Sequence, residues 1–394
     1  MARRARDTGA WPAVLLGWTA VSLVACASRS TLPAALSDRE FWTLIQTVSE
    51  SPGAYTLSDN LVSNEPRVAE NVRWLRPSGG VYIGVGPEQN FSYVARLRSA
   101  MAFIVDIRQE NRNLHLLYKA LFEVSSDRVE FVSRLFSRPR PPGLTSGSSV
   151  DEIFRRFNAV SPSPDLYRRT AALVRERLLT THGFPLSAID LDWVDRAFTA
   201  FYTDGPAIQF WGTRIVEQNA ARPSYLALMT ARDMMGRPQS FLATEDGFQF
   251  IRDLQSRNRI VPVVGDFGGI GAIRRVGEYV RDHADLVRAF YGSNVGVYLT
   301  TQQMKTYCRN LAALPAPPDA WFIESDGVRT LTSKLATCQK DTGIGERTEH
   351  VPRPRYDFDD DALAIVALGD ARGAATGRRP VRDRRADVLM RGFR

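Results

Sequence analysis

The sequence predicts an α/β fold built on a doubly wound, largely parallel sheet. Three observations predict it. Val81, Ile83 and Val85 alternate with Tyr82 and Gly84 in a β-rich run that turns at Gly86, and a helical pattern follows at once. The continuous apolar run Met101–Val105 closes on Asp106, as suits a parallel strand buried on both faces. The rhythm then recurs, with Ile260–Val264 before Gly265-Asp266-Phe267-Gly268-Gly269 and Leu286–Tyr291 before Gly292-Ser293-Asn294. Doubly wound sheets bind ligands at the carboxyl ends of their strands, so the polar residues gathered there mark the expected site.

The 394 residues allow two to three domains, or one enlarged domain with ends. The net charge of +8 owes much to arginines at both termini, which describes a basic tail better than a nucleic-acid groove. No zinc finger, helix-turn-helix or RNP pattern is present, so no specific nucleic-acid partner is expected. Four scattered histidines (His115, His182, His283, His350) and the absence of H-E-x-x-H or C-x-x-C argue against a metal site.

Taken in order, residues 1–26 read as a lipoprotein-type signal. Arg3, Arg4 and Arg6 precede the apolar stretch Trp11–Val24, and Leu23-Val24-Ala25-Cys26 resembles a lipobox that would acylate Cys26. The expected location is then the cell envelope, lipid-anchored at the outer membrane and facing the periplasm; if the signal is misread, the cytoplasm is the alternative. Residues 38–80 begin with an amphipathic helix in which Phe41, Trp42, Leu44, Ile45 and Val48 alternate with polar residues. The polar stretch Asp59-Asn60…Asn64-Glu65 is either a lid over the site or a loop whose side chains cap the next helix, around Val68–Leu75.

Gln109–Val124 is a helix, and the Pro-, Gly- and Ser-rich segment Arg138–Ser149 is a linker. From about 151 to 218 the pattern is helical and aromatic-rich, an insertion in the α/β domain, which itself spans 38–340. Its aromatics (Phe198, Phe201, Tyr202, Phe210, Trp211) are expected in the core rather than in a pocket. Short mixed segments cover Tyr225–Arg232 and Ser240–Thr244; helices follow at Phe248–Gln255 and Gly271–Arg281, and a strand at Trp321–Glu324. Cys308 and Cys338 are either bridged in an oxidising compartment or two separate buried thiols. Residues 342–394 read as a basic, disordered tail.

The central motif is Gly84-Val85-Gly86-Pro87-Glu88-Gln89-Asn90, with Asp106 twenty residues beyond Gly86. Glycines let the backbone bend and approach a ligand, and an acid at that distance accepts hydrogen bonds from ribose hydroxyls. The missing third glycine counts against NAD and suits S-adenosylmethionine (SAM), which has no pyrophosphate to pack. With DNLVSNE, AFIVDIRQEN, IVPVVGDFGG and FYGSNVGVYL alongside it, the chain resembles an uncharacterised bacterial family with a SAM-dependent-methyltransferase-like Rossmann fold.

The resemblance implies SAM as cofactor, with Gly84, Gly86, Glu88, Asn90, Asp106 and Asp266 around it. It implies a catalytic or substrate-binding position at Asn294; for an enzyme, Asp59, Glu65 or Glu88 are the carboxylates that could supply a base, and the sequence identifies none of them as such. No Asn/Asp-Pro-Pro-aromatic motif is present, so methylation of base nitrogens is not implied. The methyl acceptor, a small molecule or an envelope component, is left open. The alternatives are a non-catalytic envelope lipoprotein that uses the fold as a binding or structural module, and a nucleotide- or sugar-binding enzyme using the same turn.

Overall fold

A computed structural model describes residues 30–53, 60–210 and 222–342. The signal and Cys26, the base candidate Asp59, Trp211, the last residues of the insertion and the tail beyond Thr342 lie outside the described residues.

A six-stranded sheet organises the chain: β1 (Val81–Gly84), β2 (Met101–Asp106), β3 (Ile260–Val264), β4 (Val287–Tyr291), β5 (Trp321–Glu324) and β6 (Gly327–Thr330), in the order β3-β2-β1-β4-β5-β6. The first five strands are parallel, and β6 turns back antiparallel along β5. This is an α/β, Rossmann-like arrangement. The order reverses between β1 and β4, and such a switch point opens a crevice at the carboxyl edge. The side chains of β1, β2 and β3 are buried along their whole length, which explains the unbroken apolar runs.

Helices cover both faces. α1 (Asp38–Val48) and α11 (Ala272–Asp282) pack together over β2 and β3 on one side. α1 starts on a Ser37–Glu40 capping box, and Phe41, Leu44, Ile45 and Val48 are its buried stripe, as the pattern predicts. On the other side lie α2 (Val68–Trp74), α3 (Gln89–Leu97), α4 (Gln109–Glu123) and α10 (Glu245–Ser256). α4 is buried from Leu114 to Phe122 on every side, because it packs on the sheet and is itself covered.

Its cover is α5 (Arg128–Leu135) and the helical insertion, α6 (Val150–Asn158), α7 (Pro164–Arg175) and α8 (Ala188–Asp204), with α9 (Tyr225–Thr230) after it. α7 runs into a π turn, Glu176–Thr181. His182, just beyond it, bridges Asp38 at the start of α1 and Glu123 at the end of α4, at 2.7 Å to each. Phe198 and Phe201 are core, whereas Phe210 turns to the cleft described below.

Several elements differ from expectation. Tyr225–Thr230 is a helix rather than a mixed segment, started by the Ser224 side chain. α5 and α12 (Thr301–Ala312) are helices that the sequence pattern did not single out; both begin on a capping side chain, Asp127 and Thr300. β6 and α13 (Leu331–Asp341) complete the edge beyond β5, and a disulfide ties α12 to α13 through Cys308 and Cys338, with Cα atoms 5.7 Å apart. Among the described residues no helix is long and apolar enough to cross a membrane.

Candidate functional site

The turn after β1 is held from behind. A Cβ on Gly84 would fall 2.1 Å from Asn90 Oδ1 and 2.5 Å from the Tyr82 hydroxyl, so only glycine lets these two side chains meet. The Tyr82 hydroxyl donates to Asn90 Oδ1 at 2.8 Å, and Asn90 Nδ2 donates to the carbonyls of Val85, Gly86 and Pro87. Gly86 has φ +79°, a left-handed conformation that glycine adopts freely. His115 of α4 reaches the Gly86 carbonyl at 2.9 Å. A carbonyl only accepts, so Nε2 carries the proton. Burial pushes the pKa of this imidazole down to about 4, so it is neutral near pH 7.

Glu88 is fully buried beside the same turn and accepts the Ser63 N–H with both carboxylate oxygens. Burial pushes its pKa up to about 8, against the backbone N–H groups that favour its charged form. Sequence reasoning offered Gly84, Glu88 and Asn90 as cofactor contacts. The structure places all three behind the turn, lining no part of the cleft; their part is to shape it. Gly86, with Pro87 and Gln89, is what the turn presents.

In front of the turn lies a cleft at the carboxyl edge of the sheet. It gathers the ends of four strands. Gly86 follows β1, Asp106 ends β2, Asp266 follows β3, and Ser293 and Asn294 follow β4. The polar stretch before α2 supplies Asn60, Ser63, Asn64 and Glu65 as a further wall. It does not cap α2, whose first turn receives no side-chain hydrogen bond from the preceding residue. Val85, Ile107, Phe210, Phe267, Tyr298 and Leu299 add apolar surface.

The carboxylates differ in environment. Asp106 is gripped by Arg108: Nε donates to Oδ1 and Nη2 to Oδ2, each at 3.0 Å, and the Arg108 backbone N–H also reaches Oδ1. Asp266 accepts the Gly268 N–H at 2.8 Å and Gln303 Nε2 at 3.3 Å, while its own N–H donates to Glu50. Glu50 thereby orders the glycine-rich loop after β3.

Glu65, like Asp106, is a buried carboxyl of the cleft wall. Its Oε1 accepts the Ser293 hydroxyl, and its Oε2 is buried without a hydrogen-bond partner. Burial pushes its pKa up, opposed by the hydroxyls of Ser293 and Tyr291. Ser293 has φ +48°, a strained value for a residue with a side chain, and the Ser293 hydroxyl also lies 3.2 Å from Asn294 Oδ1. Gln89 Nε2 donates to the Tyr291 hydroxyl at 3.2 Å, joining the β1 turn to the end of β4.

Arg108, Ser293, Gln89, Gln303 and Phe210 also belong to this cleft. Arg108, Ser293 and Gln89 lie at strand ends that the sequence marks, without a contact of their own assigned; Gln303 was missed and Phe210 was expected in the core, because both come from segments far off in sequence. Among the described residues no group of three or more His, Cys, Asp or Glu side chains is arranged to hold a metal ion. No curated protein matches the chain. A family pattern does match at residues 60–140 and 215–343, and the stretch it skips contains the helical insertion α6 to α8. Those two segments make up just over half of the sequence and contain Glu65, Gly86, Asp106, Asp266 and Asn294, so the chain belongs to the family of a domain of unknown function, DUF7790.

Proposed function

We propose that the cleft binds a nucleoside-bearing small molecule, with SAM as the occupant that fits best, and that the protein is a methyltransferase-like enzyme. The convergence of four strand ends on one cleft at the switch point carries this reading. The residues fit the group. Gly86 brings bare backbone to the wall, Asp106 stands where a ribose is recognised, and Asp266 stands where a base edge would reach. Phe210 and Phe267 offer flat apolar surface.

Bound SAM would supply an electrophilic methyl group. The chain's part is then to align an acceptor and exclude water. Glu65, Ser293 and Asn294 form the acceptor side. Glu65 is the carboxyl of that wall that would take or hold an acceptor proton. Burial raises its pKa above the usual carboxylate range, which makes it a stronger base than an exposed carboxylate.

One observation favours a second reading, a non-catalytic binding module. Both oxygens of Asp106 already accept from Arg108, so the ribose position is partly satisfied within the chain. Each oxygen keeps a second lone-pair site, so the pair narrows rather than closes the position.

Calorimetric titration with SAM and S-adenosylhomocysteine tests the proposal. Micromolar binding that weakens at least tenfold in Asp266→Ala is expected. No heat and no thermal shift in well-folded protein would overturn the cofactor assignment. Asp106→Ala is the poorer control, because it also disrupts a buried ion pair.

A further inference from the structure

Away from the cleft, the end of α2 and the turn before Pro238 form one exposed face. Trp74 is 53% exposed, Met234 74% and Met235 67%, among the most exposed large apolar side chains described. They stand together. The Met234 N–H donates to Glu70 Oε2 at 3.0 Å, Glu70 pairs with Arg73, and the Arg73 guanidinium lies 4.1 Å from the centre of the Trp74 ring.

The methionines are presented rigidly. Asp233 is buried and accepts the N–H groups of Met235 and Arg237, and Gly236 turns the chain at φ +74°. Cations surround the apolar tip. Arg76 and Arg96 spend their hydrogen bonds on backbone carbonyls around Leu75 and pair with no carboxylate among the described residues. Arg96 lies close enough to Arg76 and Arg237 to feel their charge. Among the described residues Glu70 pairs with Arg73 and Asp233 with Arg237, which leaves Arg76 and Arg96 as the positive excess of this face.

We propose that this face docks on an anionic phospholipid surface, with Trp74, Met234 and Met235 entering the headgroup region and Arg73, Arg76, Arg96 and Arg237 on the phosphates. The charge complementarity selects an anionic partner. The protruding shape selects a deformable one, since a convex apolar tip needs a surface that yields around it. Tryptophan and arginine are the side chains suited to such a boundary, one amphipathic and the other multidentate toward phosphate. The inference is independent of what the cleft binds and of any lipid at Cys26.

The test uses the full chain with phosphatidylcholine vesicles, with and without phosphatidylglycerol, carrying brominated acyl chains that quench tryptophan on contact. Quenching that needs the anionic lipid, and that falls several-fold in Trp74→Phe and in the Met234→Ser/Met235→Ser double variant, is expected. Seven tryptophans contribute, Trp11 and Trp18 of the N-terminal apolar stretch among them, so the Trp74 signal is the quenching that the wild type shows and Trp74→Phe lacks. Equal quenching in the wild type and the variants would overturn the proposal. So would Trp74 quenching by a single-stranded oligonucleotide with none by vesicles, which would assign the face to nucleic acid.

Discussion

Arg108 holds both carboxylate oxygens of Asp106, two residues before it, with side chains only 6% and 7% exposed. The acid at the end of β2 is therefore structural whatever it binds. Removing one member of a buried pair costs about 3–5 kcal/mol, because the other charge stays buried. Asp106→Ala is expected to lose stability on that scale in urea unfolding, and Asp106→Leu/Arg108→Met to recover part of it. An unchanged midpoint in Asp106→Ala would show the pair to be energetically idle.

Glu88 and His115 flank the same turn and titrate in opposite senses. Glu88 has a folded pKa near 8, above its ordinary 4.5, so its contribution is full at low pH and is lost as pH rises toward 8. His115 has a folded pKa near 4, below 6.5, so its contribution is full above pH 6.5 and is lost as pH falls toward 4. Each slope is at most about 1.4 kcal/mol per pH unit. The contributions of these two groups are thus expected to offset each other between about pH 4.5 and 6.5 and to decline from there to about 8, with buried Glu65 adding a decline of the same sign. Glu88→Gln, which keeps an acceptor for the Ser63 N–H, should gain on the wild type progressively from about pH 4.5 to about 8. Denaturant midpoints across pH decide it; an identical profile in the variant would refute the assignment.

The two glycines of the turn should fail differently. Alanine at Gly84 drives a methyl into the Tyr82–Asn90 hydrogen bond, a steric cost of roughly 1–3 kcal/mol. Alanine at Gly86 meets only Gln89 Nε2 at 3.0 Å but must hold φ +79°, costing about 1–2 kcal/mol. Both lower Tm. If the cleft is occupied as proposed, Gly86→Ala should also weaken the ligand, because the added methyl stands at its wall. Equal ligand affinity in both variants would separate Gly86 from binding.

The Cys308–Cys338 bridge closes a loop of 30 residues, for which the chain-entropy model gives a stabilisation of about 3–4 kcal/mol. Cys308→Ser/Cys338→Ser, or reduction in solution, should lower the denaturant midpoint accordingly. Amide exchange should speed up most in α12 and α13. An unaltered midpoint after verified reduction would show that the helix packing alone holds this edge.

Most of the sheet was legible in the sequence, for local reasons. Runs such as Met101–Val105 and Ile260–Val264 are apolar on every residue because both faces are covered, and the residues after them are polar because the strand ends there. The α1 pattern was legible because its stripe repeats at the helical period. β6 and α13 were not, because Gly327–Thr330 has no buried residue and is a strand only by pairing with β5. α9 was missed for the opposite reason: with six residues it is too short to show a period.

The sequence alone determined the buried strands β1 to β4, the periodic helices such as α1 and α4, and which polar groups sit at those strand ends, since backbone geometry and side-chain periodicity are local properties. Tertiary structure decided which of those groups face one another. Glu88 and Asn90 point into the fold because α4 and the Ser63 segment close over them. Glu65 meets Ser293, 228 residues away, because the strand order places β4 beside β1. No local pattern encodes that contact: it exists only once the crossover connections have paid their loop entropy and brought the two ends together.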